Sequence, residues 1–309
     1  MRDPLSSIAD SIRRDQAALR EKARGLRNSR PELILKTDAR DLTLQVCAVD
    51  GGLLAYRLHG HDVVASRSVA VSFRYEGSAL RSFDHYPARS PGIEITVESA
   101  LDEHEANVLR SLVRLKSEIM CAITAVERYS PELLLMDGSL WTVPSDRPAK
   151  GSRLARLYDE VTGLYRKLYD TCGQKTFLCG VIKDSRSRKL AASMGFSCSD
   201  TLLCSHMLDK GERTPASPYS DQMERLRVFY MKPSEHDLPL RIEFMEGDEG
   251  EIASLIFSLS SISESFAYPA ILIEADMRAA MSRDEAERLQ ADIGRLDMRP
   301  LRRNSRPFR

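Results

Sequence analysis

Asp50 and Asp137 are the two residues whose setting points most directly to chemistry. Asp50 closes an alternating, strand-like stretch at 42–49, Asp137 closes an apolar run at 133–136, and a glycine follows each directly. Carboxylates at the carboxyl ends of neighbouring strands emerge at one sheet edge, where they repel and raise each other's pKa unless a cation lies between them. Such a pair invites a divalent ion, and hard magnesium or manganese prefers oxygen donors. The plainer alternative is that both acids only open turns, since Asp-Gly is a common turn dipeptide.

Other chemistries have little foothold. There is no GxxxxGK[ST] phosphate loop, no GxSxG, and the six histidines form no HExxH. Cys198, Cys204 and His206 lack a fourth ligand at a zinc spacing. The six cysteines form no CxxC pair and read as reduced, packed thiols.

The elements that must position the two aspartates follow from periodicity. Residues 5–28 carry Leu5, Ile8, Ile12, Ala17 and Leu19 among many charges, a narrow apolar stripe that predicts a helical arm. Alternation at Leu42, Leu44 and Val46 predicts a strand ending at Asp50, with Gly51-Gly52 as a sharp turn. Strand-like runs at 53–58 and 63–75, joined at Gly60, complete an antiparallel meander, and a Pro- and Ser-rich loop leads to a short strand at 93–97. Ser99 is the expected cap of a long helix carrying Leu101, Val108, Leu112, Leu115, Ile119, Ala122 and Val126. The stretch at 132–139 holds a continuous apolar run, too short for a helix and ended by a carboxylate and a glycine, which suits a central strand buried on both faces. A helix at 152–172, a buried strand at 176–182, an irregular stretch followed by a hairpin pairing 226–231 with 240–245, and helices at 250–262 and 268–294 complete the pattern.

Length and composition set the frame. With 309 residues, 42% apolar and 29% charged, the chain can bury roughly three quarters of its unfolded surface. Lys+Arg and Asp+Glu balance at 45 each, which argues against a protein that coats nucleic acid nonspecifically and leaves room for a local basic groove. No apolar stretch approaches the roughly 18 residues needed to cross a membrane, and the amino terminus lacks a secretory pattern, so the expected location is cytoplasmic. Residues 299–309 hold five arginines, two prolines and no acid, a basic tail expected to be disordered.

The order β-β-β-α-β-α-β, with acids ending the first and fourth strands, is the layout of the ribonuclease H-like fold. With AVDGG (48–52), LLLMDGSL (133–140), GVIKDSRS (180–187), SDTLLCSHMLDKGERTP (199–215), LPLRIEF (238–244) and YPAILIEADMRAA (268–280), the sequence resembles the NurA family of archaeal nucleases, partners of the HerA translocase ATPase. The expected fold class is α/β, a mixed sheet of antiparallel meander and parallel strands flanked by helices, with an inserted hairpin and helical additions. The expected organisation is an arm at 1–40, a nuclease domain at 41–295 with an insertion at about 197–262, and the tail at 296–309.

The resemblance implies two manganese or magnesium ions held by Asp50, Asp137, Asp276 and a glutamate on the long helix. Glu118 and Glu105 both qualify by position; RLKSEIMCAI is similar to the family's glutamate-bearing segment and favours Glu118. At 276 the family often has histidine, so aspartate there is a departure. Two such ions activate a water and stabilise the leaving oxygen of a phosphodiester. Lys183 is a candidate for holding a phosphate or developing charge, Arg186, Arg188 and Arg241 for phosphate contacts, and Tyr268 for stacking on an unpaired base. Each has a bland alternative as a solvated charge or a core ring. The resemblance further implies a homodimer enclosing DNA, docked on a hexameric HerA-type ATPase, and a 5′ to 3′ exonuclease with single-strand endonuclease activity acting in end resection and repair. The competing expectation is an inactive DNA-binding adaptor of the same fold that regulates the ATPase.

Overall fold

The computed structural model describes residues 4–220, 223–260 and 267–295; the basic tail lies outside the described residues. In chain order the elements are α1 (Pro4–Ser29), β1 (Leu35–Lys36), β2 (Gln45–Arg57), β3 (His61–Glu76), β4 (Ala79–Tyr86), β5 (Glu94–Ser99), α2 (Glu103–Tyr129), β6 (Leu133–Asp137), α3 (Ala155–Cys172), β7 (Phe177–Ile182), α4 (Lys189–Ser193), α5 (Asp200–Met207), β8 (Glu212–Arg213), β9 (Ser217–Ser220), β10 (Met223–Lys232), β11 (Leu240–Phe244), α6 (Glu249–Ser260), α7 (Ala270–Ala279) and α8 (Arg283–Arg295). They fall into two compact units, Thr43–Cys179 with Ile271–Arg309, and Met1–Leu42 with Gly180–Ala270.

In the first unit β2, β3 and β4 form an antiparallel meander in which the strands expected at 42–50 and 53–58 are one strand, β2; β5 also pairs with β3, and β6 runs parallel to β2. Three antiparallel strands, a helix, a parallel strand and a helix make this a ribonuclease H-like α/β arrangement. Leu133, Leu134 and Leu135 of β6 are fully buried, as its unbroken apolar sequence requires of a central strand. The ladder opens on both sides of Glu132, whose N–H donates to Gln45 O while its carbonyl accepts from Phe177 N–H. α2 buries Val108, Leu109, Leu112, Ile119, Ala122 and Val126, the three-and-four stripe of the sequence. Each large aliphatic side chain so buried contributes roughly 1.5–3 kcal/mol.

Three local expectations are corrected. Gly51-Gly52 is no turn, because β2 continues through both glycines to Arg57 in unbroken register with β3. The glycines instead admit neighbours: a Cβ on Gly51 would meet Glu118 Oε1 at 2.6 Å, and one on Gly52 would meet the Ala279 carbonyl oxygen at 1.9 Å. Successive strand residues face opposite ways, so one glycine makes room for α2 and the other for α7.

The second correction is β4, which lies where a loop was expected. Its residues 79–84 are all exposed, so no apolar alternation marks them, and the turn before it is made by Gly77 and Ser78, both at positive φ. Third, Ser99 ends β5, and α2 is capped by Asp102, whose carboxylate accepts from Glu105 N–H at 2.8 Å.

In the second unit β10 and β11 form the expected hairpin, with Arg227 opposite Phe244 and Met231 opposite Leu240. β8 lies along β10, and β1 along β8. The stretch before the hairpin, expected to be irregular, contains α5, opened by Ser199, whose hydroxyl accepts from Leu202 N–H. Ala23 of α1 is fully buried against Ala191 and Leu203, while Ile8 and Ile12 remain exposed. The six cysteines are all free thiols. Among the described residues no helix is long and apolar enough to cross a membrane.

Candidate active site

β2 and β6 bring the two aspartates level. The parallel register pairs Val46 with Leu133 and runs in step to Val49 with Met136, so the next residues are Asp50 and Asp137. Level partners on adjacent strands share a face. Asp50 is only 6% exposed and its Oδ1 accepts from Gly51 N–H at 2.7 Å; Asp137 is half-buried at the end of β6, where Gly138 leaves the strand at φ +132°.

α2 supplies the third carboxylate. Glu118 is 3% exposed and packs over Gly51, and its Oε1 has no hydrogen-bond partner among the described residues. Arg114, one helical turn earlier, places Nη1 3.4 Å from that oxygen. Glu105, the other candidate, accepts instead from Ser152 Oγ at 2.6 Å.

Asp276 comes from α7. It is exposed, and its helix is tied to β4 by Glu274, whose Oε1 meets His85 Nε2 at 3.1 Å and Arg278 Nε at 2.7 Å.

The electrostatics link these groups. Burial pushes the Asp50 carboxyl up to about 7, and the charges of Asp137 and Asp276 add to the rise against the Gly51 N–H and Arg114. Burial raises Glu118 to about 8; Arg114 opposes the rise, and Asp50 and Asp137 reinforce it. The Arg114 guanidinium is in turn held charged mainly by Glu118. Arg114 was not singled out from the sequence, although its i, i+4 spacing from Glu118 was visible there.

Oxygen donors, acids that raise one another's pKa, and a buried carboxyl oxygen without a hydrogen-bond partner among the described residues fit a hard divalent ion. Among the described residues, no three acidic, imidazole or thiol side chains are gathered into a finished cage.

The remaining candidates lie in the second unit, and two of them change character. Tyr268 is 2% exposed, donates its hydroxyl to Val181 O at 3.1 Å, and has Lys183 Nζ 4.1 Å from its ring centre. A ring so enclosed offers no open face to a base, because YP opens a core contact here. Arg241 is 9% exposed and its Nη2 lies 2.7 Å from Glu243 Oε1, an internal ion pair in place of a phosphate contact. Arg186 and Arg188 are exposed and Lys183 half-buried. In the first unit an aromatic group missed from the sequence follows Asp137: Trp141 stacks on Tyr169, ring centres 6.3 Å apart, and leans on Tyr165.

Fold and site together define a ribonuclease H-like domain that converges carboxylates on its central strands. The NurA domain model matches residues 44–281, and the chain belongs to the NurA family. The NurA nuclease from Sulfolobus solfataricus superimposes with a TM-score of 0.66 at 17% identity, over 94% of this chain and 95% of that one. A NurA structure with manganese gives 0.57 at 13% identity, covering 93% of this chain and 98% of that one. Another, bound to dAMP and manganese, gives 0.58 at 13% identity, covering 93% and 97%. No curated protein sequence matches the chain.

Proposed function

We propose that the protein is a metal-dependent DNA nuclease whose Asp50, Glu118, Asp137 and Asp276 hold two manganese or magnesium ions. The observation that carries the reading is Glu118, a buried acid beside two others, whose Oε1 has the Arg114 guanidinium at 3.4 Å but no hydrogen-bond partner among the described residues. Arg114 offsets only part of the cost of burying these acids together, several kcal/mol that a scaffold gains nothing by carrying. The related NurA structures with manganese, one of them also with dAMP, support the choice of ion and of substrate class.

When bound, a pair of divalent ions supplies an activated water and stabilises the leaving oxygen of a phosphodiester. The chain's own residues prepare for this. Asp50 and Glu118 hold carboxyl oxygens at β2 and α2, where a cation would draw off their protons, and α7 presents Asp276 from an exposed position. Arg114, with 40% of its side chain exposed, balances the buried charge and is placed to meet a phosphate. Lys183, Arg186 and Arg188 are further candidates for phosphate contacts.

The finer reading is a 5′ to 3′ exonuclease with single-strand endonuclease activity, working in DNA end resection and repair as a cytoplasmic homodimer with a hexameric HerA-type ATPase. Its support is the family resemblance together with α1, whose Ile8 and Ile12 are 56% and 51% exposed and offer apolar surface to a second chain or to the ring. The unfinished ligand cage favours a second reading, the inactive adaptor, in which Arg114 takes the place of the ions. Cleavage of end-labelled single- and double-stranded DNA with manganese, magnesium or chelator, beside Asp50→Asn, decides between them. Manganese-dependent shortening lost in the folded variant is expected; no cleavage under any condition, with the cognate ATPase added, would leave the adaptor.

A further inference from the structure

The second unit contains a cleft of about 680 Å³ between α1, α5 and the end of β10, sharing no residue with the carboxylate site. Arg20, Arg24 and Arg27 line it from α1 at i, i+4 and i+7, so all three lie on one helix face. Lys210 and Lys232 join them, and Asp209 and Glu235 are the acids in the wall. Arg27 is already neutralised: its guanidinium pairs with Glu212 at 2.5 Å and Asp209 at 3.0 Å and also donates to Met207 O. Lys232 Nζ donates to Ser205 O, which satisfies a proton, and has no ion pair among the described residues. Arg20 and Arg24 are exposed, and like charges at i, i+4 weaken a helix by a few tenths of a kcal/mol.

His206 sharpens the picture. Its Nε2 is buried in the cleft wall and has no hydrogen-bond partner among the described residues. A buried polar atom left so costs roughly 1–3 kcal/mol, which a ligand offering a hydrogen-bond partner would recover once the ring turned Nε2 toward the cleft. Burial, and then the charges of Arg20, Lys232 and Arg24, hold this imidazole below its usual range, a sign that positive potential prevails around it.

We propose that this cleft is a second anion site, built to take a nucleotide phosphate. Its volume is in the range of small-ligand sites and suits one or two nucleotides. Planar guanidiniums on a helix face match the forked geometry of phosphate oxygens, and the imidazole adds a short-range donor in the tautomer that carries hydrogen on Nε2. An acidic peptide offers carboxylate acceptors to the same groups, and hexaglutamate in the titration below distinguishes it from a phosphate. The proposal does not depend on catalysis, because neither ions nor the four carboxylates take part.

The test uses the full chain in chelator, titrated with dAMP, with hexathymidylate and with hexaglutamate. The His206 ring signals, assigned by their loss in His206→Gln, are followed by NMR, and binding is measured by anisotropy. The signals should move with the phosphate ligands, and Arg20→Ala/Arg24→Ala should weaken binding at least tenfold while leaving the melting curve unchanged. The salt dependence of hexathymidylate binding should fall by about 1.4 in log–log slope, the share of two single-strand phosphate contacts. Asp50→Asn should bind like the parent, which keeps this outcome separate from the fate of the nuclease reading. Saturation by dAMP would identify a free nucleotide, and a requirement for the oligomer would identify a strand; both support the site. Unmoved His206 signals, undiminished binding in the double variant, or preference for hexaglutamate would overturn it.

Discussion

Replacing Glu118 by glutamine should stabilise the protein and abolish its cleavage at the same time. Glu118 is 3% exposed, and burial raises its carboxyl from the ordinary 4.5 to about 8. A carboxyl raised on folding is held protonated by the native state. The stability it contributes is therefore complete below pH 4.5 and is lost as pH rises through 8. At about 1.36 kcal/mol per pH unit, the loss reaches about 3 kcal/mol at pH 7 and levels off near about 5 kcal/mol at higher pH. Glutamine keeps the shape and never ionises, and Arg114, with 40% of its side chain exposed, can turn to solvent. In chelator, urea unfolding should show the two proteins equal near pH 4.5 and the variant ahead by about 3 kcal/mol at pH 7. Manganese should narrow the gap by stabilising only the parent. A pH-independent difference, or a variant less stable than the parent at pH 8, would refute the assignment of Glu118 as a buried acid whose desolvation outweighs its pairing with Arg114.

Other changes separate structural from chemical roles. Gly52→Ala drives a Cβ into the Ala279 carbonyl, so α7 must shift and denaturant melts should show a loss toward the upper end of about 1–3 kcal/mol, with cleavage reduced as Asp276 moves. Arg241→Ala leaves Glu243, 1% exposed, without its guanidinium; calorimetry should show about 3–5 kcal/mol lost, whereas weaker DNA binding at unchanged stability would restore the phosphate-contact reading. Tyr268→Phe removes the hydroxyl given to Val181 O and should cost about 1 kcal/mol with cleavage rates intact; a marked loss of activity at equal stability would return the ring to the substrate.

Much of the scaffold was legible because burial leaves a trace in the sequence. β6 is apolar from Leu133 to Met136 since it is covered on both faces, α2 shows the three-and-four stripe of a helix with one buried side, and two short runs rich in apolar residues mark the β10–β11 hairpin. β4 left no trace because its outer residues face solvent on an edge. The sequence alone placed an aspartate after each of two apolar strands and supplied the motifs of the NurA family.

Only the tertiary structure decided what the neighbours of those aspartates are. A GlyGly pair reads the same whether the chain must turn or something must come close, and α2 and α7 pressing on β2 settled it as close approach. Glu105 and Glu118 both sit on α2, and only its docking over Gly51 sets Glu118 apart. Tyr268 and Arg241 are polar residue types that went inside because Val181 and Glu243 were there to satisfy them. Periodicity reports which face of an element is buried; which groups meet across that face depends on register and helix placement, and those are fixed only when the whole chain packs.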